Sequence, residues 1–558
     1  MDWVWVLFCA AACPGPMGAA PAFSPGPISA DGRYVAFSTD QDLLPIDQNN
    51  LEDVYRYDCR TGDLLLISIN TDNSGSGDAD SHSPAISADG EVVAFVSNST
   101  NLSPLDHNGF TDVFLRDLAG GATTLISVNR FGTNGGNDRS VRMKLSADGG
   151  TVVFDSRATD LVELADGNAS SSDVFVRDWT AGVTTLVSVN QAGDASGDRG
   201  STLGGISSDG SVVVFGSSAS DLAANDTNTF RDVFVRHLAS GVTTLVSANQ
   251  AATGGGNADS TDPAVSASGE IVAFASSASD LVTGDANGES DIFVHNLSLG
   301  VTTLVSLNRK CTSSGNGGSF GLNLSADGKT VAFASAASDL VAGDENGNID
   351  VFARNLETEV TTLISGSLTG SGSANGRSEA PVLSANGAVV AFVSTANDLT
   401  SEPVDGLLNL FVQDLAAGTR ELASVNQSGQ GSGNESGFFH DPMLSSNGRL
   451  LLFQSLATDL IATNIAGCGV FLFSPAPRLL IGQAGSGGLP RPNILLSYPS
   501  DVLAVVEFSL DLLIWAPLSA LANVSLSTDS AGGTTRTLLT LHEGAPLHLF
   551  FRLAPPYP

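Results

Sequence analysis

Along most of this chain the apolar residues come in short runs rich in Val, Phe and Thr, bounded by Gly, Asp, Asn and Ser. Runs of that length and composition predict β-strands, and the repeated text carries no helical spacing. One phenylalanine marks a period: Phe37, Phe95, Phe154, Phe215, Phe274, Phe333, Phe392 and Phe453 follow one another at intervals of 58 to 61 residues. A second aromatic recurs in step with it, at Tyr55, Phe114, Phe175, Phe234, Phe293, Phe352, Phe411 and Phe471. Each unit of about 59 residues then holds four predicted strands. In the second unit they are A (Pro84 to Ser87), B (Val92 to Ser97), C (Asp112 to Arg116) and D (Thr123 to Ser127). A self-similar unit of this size must be read as a repeat before any domain count is attempted.

The links between strands are unequal. A–B is a tight Ala-Asp-Gly turn, and C–D is a short turn closing on a glycine such as Gly121, Gly182 or Gly241. B–C spans roughly 14 residues (Ser97 to Asp112) and D–A roughly 16 (Ser68 to Ala85). In a four-stranded antiparallel meander, alternate connections lie at the same end. Both kinds of long loop therefore fall on one face of the assembly, and loops of this length are either functional or disordered. Eight four-stranded units repeated in this way predict an all-β fold, a β-propeller of eight four-stranded blades, which limits exposed strand edges.

The run Ser325-Ala-Asp-Gly-Lys-Thr-Val-Ala-Phe333, repeated as Ser266-Ala-Ser-Gly-Glu-Ile-Val-Ala-Phe274, resembles the WD40-like repeats of the TolB-type propeller family. The resemblance covers about residues 24–482, with the best matches in blades one to six. TolB-type proteins typically close six blades, so eight units depart from that pattern. The resemblance implies a fold more than a function.

The B–C loops carry a second signature, Asp-x-Asn-x-x-x-Asp. It reads Asp47/Asn49/Asp53, Asp106/Asn108/Asp112, Asp226/Asn228/Asp232, Asp285/Asn287/Asp291 and Asp344/Asn346/Asp350, with one extra residue in Asp166/Asn168/Asp173. Alternate oxygen side chains in a Gly-containing loop suit a hard cation, since Ca²⁺ takes six to eight oxygens. The bidentate Glu of a full calcium loop is missing. The same residues also build Asx-turns, so calcium and bare turn chemistry are both open readings. Blade seven (Asp405, Asn409) and blade eight (Asn464, Cys468) have lost the pattern, so an ion series would stop at blade six.

Composition excludes other classes. Lys+Arg number 24 against 59 Asp+Glu, a net charge of −35, and the only lysines are Lys144, Lys310 and Lys329. Nucleic acid and anionic membrane surfaces are unsuitable partners for such a chain. No segment is long and apolar enough to predict a membrane-spanning helix. The text Gly317-Gly-Ser319-Phe-Gly321 matches a hydrolase elbow, but that elbow requires a following helix and none is predicted here. The seven histidines are scattered, which argues against a catalytic zinc. Five cysteines, Cys9, Cys13, Cys59, Cys311 and Cys468, suggest no framework, and Cys9 with Cys13 is the more plausible bond.

At the ends, residues 1–23 read either as a secretory leader, though with Asp2 where a positive charge belongs, or as a strand Val4 to Phe8 that closes the ring. The propeller is expected over residues 24–482, a Gly/Pro linker over 483–493 and a small all-β C-terminal domain over 494–558. That tail, with Tyr498-Pro499, Trp515 and Phe550-Phe-Arg-Leu553, resembles the short C-terminal β-modules of secreted bacterial proteins. The expectation is an exported binding or scaffold propeller, in the cell envelope or secreted. It would take a protein or glycan on the long-loop face, with calcium the only candidate cofactor. The alternative is a polysaccharide-active hydrolase or lyase with carboxylates in the central funnel.

Overall fold

The computed structural model describes residues 4–8, 23–435 except Ser170 and Ser371, 442–460 except Leu456, 469–473 and the strands of the C-terminal region. Cys9, Cys13, Cys468, most of residues 1–23 and nearly all of the expected linker at 483–493 lie outside the described residues.

The first unit, Met1–Ser474, is built of four-stranded antiparallel sheets. Seven are contiguous in sequence, each in the order A-B-C-D. In blade two these strands are Ser81–Ile86, Val92–Ser97, Asp112–Asp117 and Ala122–Leu125. The eighth sheet takes Met443–Leu444, Leu451–Ser455 and Gly469–Phe473, and its fourth strand is Val4–Phe8, paired antiparallel with Gly469–Phe473. The chain is thus an all-β propeller whose eighth blade is completed by residues from the beginning of the sequence. Blades one and eight also pack side chain to side chain, with Phe37 and Tyr55 in one cluster with Leu452.

The marker aromatics explain why the blades stack. Phe95 of strand B lies opposite Phe114 of strand C, with ring centroids 5.8 Å apart, and the same pair recurs from Phe37–Tyr55 to Phe392–Phe411. Each pair is buried, and in blade five Phe274 and Phe293 pack against the valines of blade four.

The Ser-x-Asp-Gly text is a turn with a defined mechanism. Ser87 Oγ donates to Asp89 (2.6 Å) and accepts from the Val92 N–H (3.0 Å), while Gly90 takes φ +77°, where a side chain would be strained and would strike the Tyr34 ring. These turns also tie blades together on the short-turn face. The N–H of Ala30 donates to the Ala88 carbonyl (2.9 Å), Ala88 to Ala147 (2.8 Å), Ala147 to Ser208 (2.9 Å) and Ser208 to Ala267 (2.9 Å).

The second unit, Pro475–Pro558, contains one four-stranded and one three-stranded sheet. Its first strand, Leu480–Gln483, pairs with Ile494–Pro499. No helix among the described residues is long and apolar enough to cross a membrane.

Candidate functional site

In blades one to six the two aspartates and the asparagine of each B–C loop converge at the start of strand C, beside the D–A loop of the same blade. The second aspartate begins strand C and is clamped by the serine that follows strand D. Ser68 Oγ donates to Asp53 (2.6 Å), Ser127 to Asp112 (2.5 Å), Ser188 to Asp173 (2.8 Å) and Ser306 to Asp291 (2.5 Å). The same oxygen accepts the next strand C N–H, as from Val113 to Ser127 (2.9 Å). This explains the serine that ends each Thr-Thr-Leu-Val-Ser run.

The asparagine is a two-way clamp. Asn108 Oδ1 accepts the Phe110 N–H (2.8 Å), an Asx-turn, while its Nδ2 donates to Asp112 (2.6 Å) and to the Gly136 carbonyl in the D–A loop (2.8 Å). Asn49, Asn287 and Asn346 repeat the arrangement on Asp53, Asp291 and Asp350. In blade three Asn168 bonds Asp173 and the Gly197 carbonyl, and in blade four Asn228 bonds the Gly256 carbonyl. Turn chemistry is therefore present in every one of these loops.

The first aspartate differs between blades. Asp47 is satisfied: Ser76 Oγ donates to one oxygen (2.7 Å) and the Tyr55 hydroxyl to the other. Asp166 accepts the N–H groups of Asn168 (2.9 Å) and Ala169 (3.0 Å). Asp106 has one oxygen without a donor, and Asp285 has two; Ser314 lies near Asp285 but outside hydrogen-bond geometry. In blade four the orphaned oxygen belongs to Asp232. Asp47 thus has its own donors, whereas Asp106, Asp232 and Asp285 keep oxygens with no hydrogen-bond partner. Among the described residues no three Asp, Glu, His or Cys side chains converge, so each loop would offer two carboxylates supplemented by amide, carbonyl or water oxygens.

Burial dominates the electrostatics. It pushes the carboxyls of Asp53, Asp112, Asp232, Asp291 and Asp350 up to about 7 and that of Asp173 to about 6, against the lowering effect of the serine hydroxyls. Asp106, Asp226, Asp285 and Asp344 are raised by the same cause.

Two sets of positioning residues escape a search for carboxylate spacing. The first is the Asp-Leu pair after strand B: Asp160-Leu161, Asp221-Leu222, Asp280-Leu281, Asp339-Leu340, Asp398-Leu399 and Asp459-Leu460. The carbonyl and carboxylate of Asp280 accept N–H groups of Gln250 (2.8 Å) and Asn257 (2.9 Å) in the preceding blade's D–A loop. The leucine and a nearby alanine pack so closely on a D–A glycine that a Cβ at Gly256 would lie 2.7 Å from Ala278 and 2.9 Å from Leu281. The signal was in the text as a repeated Asp-Leu preceded by Ser, Thr or, at Asn397, Asn. The second set is asymmetric. Asp155, in strand B of blade three, is buried and pushed up to about 7, accepts the Leu203 N–H (2.8 Å), and stands near Arg142 and Arg231.

Long loops tied in this way leave a shaped surface. Between the D–A loop of blade four and the B–C loop of blade five lies a shallow depression of about 560 Å³, lined among others by Asn249, Gln250, Asp280, Val282 and Asp285. Ser319, in the hydrolase-like text, begins strand A of blade six and is buried with its Oγ on Ser335 Oγ (2.9 Å), so it is not on a nucleophile elbow. Cys59 is half-buried and Cys311 exposed, each a free thiol.

No family model matches the chain, and no curated protein is similar to it in sequence. Solved structures with a similar fold include the prolyl endopeptidases, with 10% identity over 86% of this chain and a TM-score of 0.42; the chain spans 54% of that protein. They also include a TolB from Agrobacterium tumefaciens (18% identity, 55% of this chain, 86% of that one, TM-score 0.30). A third is the C-terminal WD40 domain of Sif2 (11% identity, 85% of this chain, 98% of that one, TM-score 0.43). The assignment as a β-propeller rests on the sheet order of the chain itself.

Proposed function

We propose that this chain is an exported, non-enzymatic β-propeller that binds a protein or a neutral glycan on its long-loop face, with calcium held in B–C loops. The observation that carries this reading is the construction of that face. Its B–C and D–A loops are clamped by repeated side-chain and backbone hydrogen bonds within and between blades, which is the expected design of a pre-organised binding surface. Exposed apolar side chains on the long loops, Leu105, Phe110, Phe131 and Phe230, add contact area. The net charge of −35 favours a neutral or cationic partner over nucleic acid. Export is proposed from the apolar, small-residue text of residues 1–20 and the C-terminal resemblance. Since Val4–Phe8 also supply a strand of blade eight, loss of a leader would leave that sheet with three strands.

The rival reading is a hydrolase or lyase acting in the funnel, and Asp155 is the carboxyl that favours it, poised near neutrality beside two arginines. One preparation separates the two. On glycan and protein arrays, with calcium or with chelator, the full chain is expected to capture a ligand. A polysaccharide activity screen on the same material is expected to show no turnover. Turnover that disappears in Asp155→Asn would replace the binding reading by the enzymatic one.

A further inference from the structure

The repeats differ at two positions around the first aspartate, and the differences are complementary to its missing donors. In blade one the strand C aromatic is Tyr55, whose hydroxyl donates to Asp47, and the D–A residue opposite is Ser76, which donates to the other oxygen. In blades two and four the strand C aromatic is Phe114 or Phe234, in the same register against its strand B phenylalanine, and the D–A residue is Gly135 or Gly255. Both hydroxyls are therefore gone, yet the aspartates remain and remain buried: Asp106 is 1% exposed, Asp226 7% and Asp232 0%. An oxygen of Asp106 and one of Asp232 are left without a donor. The glycines also bring backbone against the carboxylates, since a Cβ at Gly135 or Gly255 would stand 2.6 Å from Asp112 or Asp232. Blade five has the phenylalanine, Phe293, but keeps the serine, Ser314; that hydroxyl lies near Asp285 outside hydrogen-bond geometry, and both oxygens of Asp285 lack donors. Leaving a buried carboxylate oxygen unpaired is costly, so an aspartate retained without its donors calls for another partner.

We propose that a hard divalent cation, calcium by the all-oxygen character of the ligands, binds between the paired aspartates of blades two, four and five. In blade one the Tyr55 hydroxyl is its built-in replacement. The ligands are Asp106 with Asp112, Asp226 with Asp232, and Asp285 with Asp291, the remaining positions being completed by water. The inference rests on the calcium reading of the B–C loops and narrows it from six loops to three.

The test is calcium binding by equilibrium dialysis, with thermal melting in millimolar calcium or chelator, on the full chain and two variants. The parent is expected to bind three equivalents and to melt higher in calcium. Phe114→Tyr restores the hydroxyl of blade one in blade two; it is expected to bind two equivalents and to melt higher than the parent in chelator. Asp47→Asn is expected to keep all three. If the parent binds no calcium and its melting is unmoved, the calcium reading itself fails, and a higher melting point of Phe114→Tyr in chelator would then assign the place to water. If the parent binds calcium but Phe114→Tyr binds as much, or Asp47→Asn loses an equivalent, calcium binds elsewhere and this assignment alone is overturned.

Discussion

Replacing Phe274 by alanine is expected to destabilise the propeller by about 3–5 kcal/mol, the usual cost of emptying a large aromatic site in a packed core. The ring is fully buried and stacked on Phe293 at 5.7 Å. It also packs on Val212, Val214, Val233 and Val235 of blade four, so the cavity would open between two blades and not only within one. The control is Glu289→Gln, on an exposed B–C loop position with no side-chain hydrogen bond or ion pair among the described residues, where a change within about 0.5 kcal/mol is expected. Denaturant midpoints of the two variants check the difference, and equal small effects would remove the basis for the blade core.

The second large effect is a fall in stability between pH 5 and pH 8, measured in chelator. Seven buried carboxyls, Asp53, Asp112, Asp155, Asp173, Asp232, Asp291 and Asp350, are raised to about 6 or 7 by burial. In the unfolded chain an aspartate titrates near about 3.9. Between those values the folded state holds more protons than the unfolded one, so stability must decline as pH rises through that range and level off above it. One group raised three units corresponds to about 4 kcal/mol. Seven acting in full would exceed the about 5–15 kcal/mol that ordinarily holds a domain together, so the observable is a large fraction of total stability. At the acid end Asp89 and Asp209 work the other way. The hydroxyls of Ser87 and Ser207 and nearby backbone N–H groups hold them below the usual range, so their contribution is lost as pH falls below about 4. The melting temperature is expected to be highest near about pH 4–5. A melting temperature that climbs from pH 5 to pH 8 would show that these aspartates are not buried as described.

The fold was legible because its signals are local and repeated. The phenylalanine at every fifty-ninth residue or so, the Ser-x-Asp-Gly turn and the glycine of the C–D turn each decide backbone geometry within a few residues. The blade count and the assignment of long loops to one face follow from these alone. The role of the B–C aspartates was legible only by residue type. What Asp112 does depends on Ser127, fifteen positions on, and what Asp106 lacks depends on a hydroxyl that Tyr55 provides in another blade. The clamps between blades were missed because they are largely backbone bonds, in which Gln250 N–H meets the Asp280 carbonyl, and any side chain can occupy such positions. The beginning of the second unit was obscured for a similar reason. Leu480–Gln483 reads as one more apolar run after blade eight, and only its pairing with Ile494–Pro499 places it in the other sheet.

The central claim is that the long loops form a built surface and are not slack connectors, and amide hydrogen exchange of the free full chain tests it most directly. In peptides covering residues 98–111 and 126–140, the N–H groups of Asn98, Asp106, Asn129, Arg130, Gly136 and Ser140 all donate to backbone carbonyls. The account predicts that they exchange slowly, with protection approaching that of strands Val92–Ser97 and Asp112–Asp117, while solvent-facing turn tips such as Gly109 and Phe131 exchange fast. Exchange of the whole of both loops at the rate of an unstructured chain would contradict it, and with it the pre-organised face on which the proposed binding function stands.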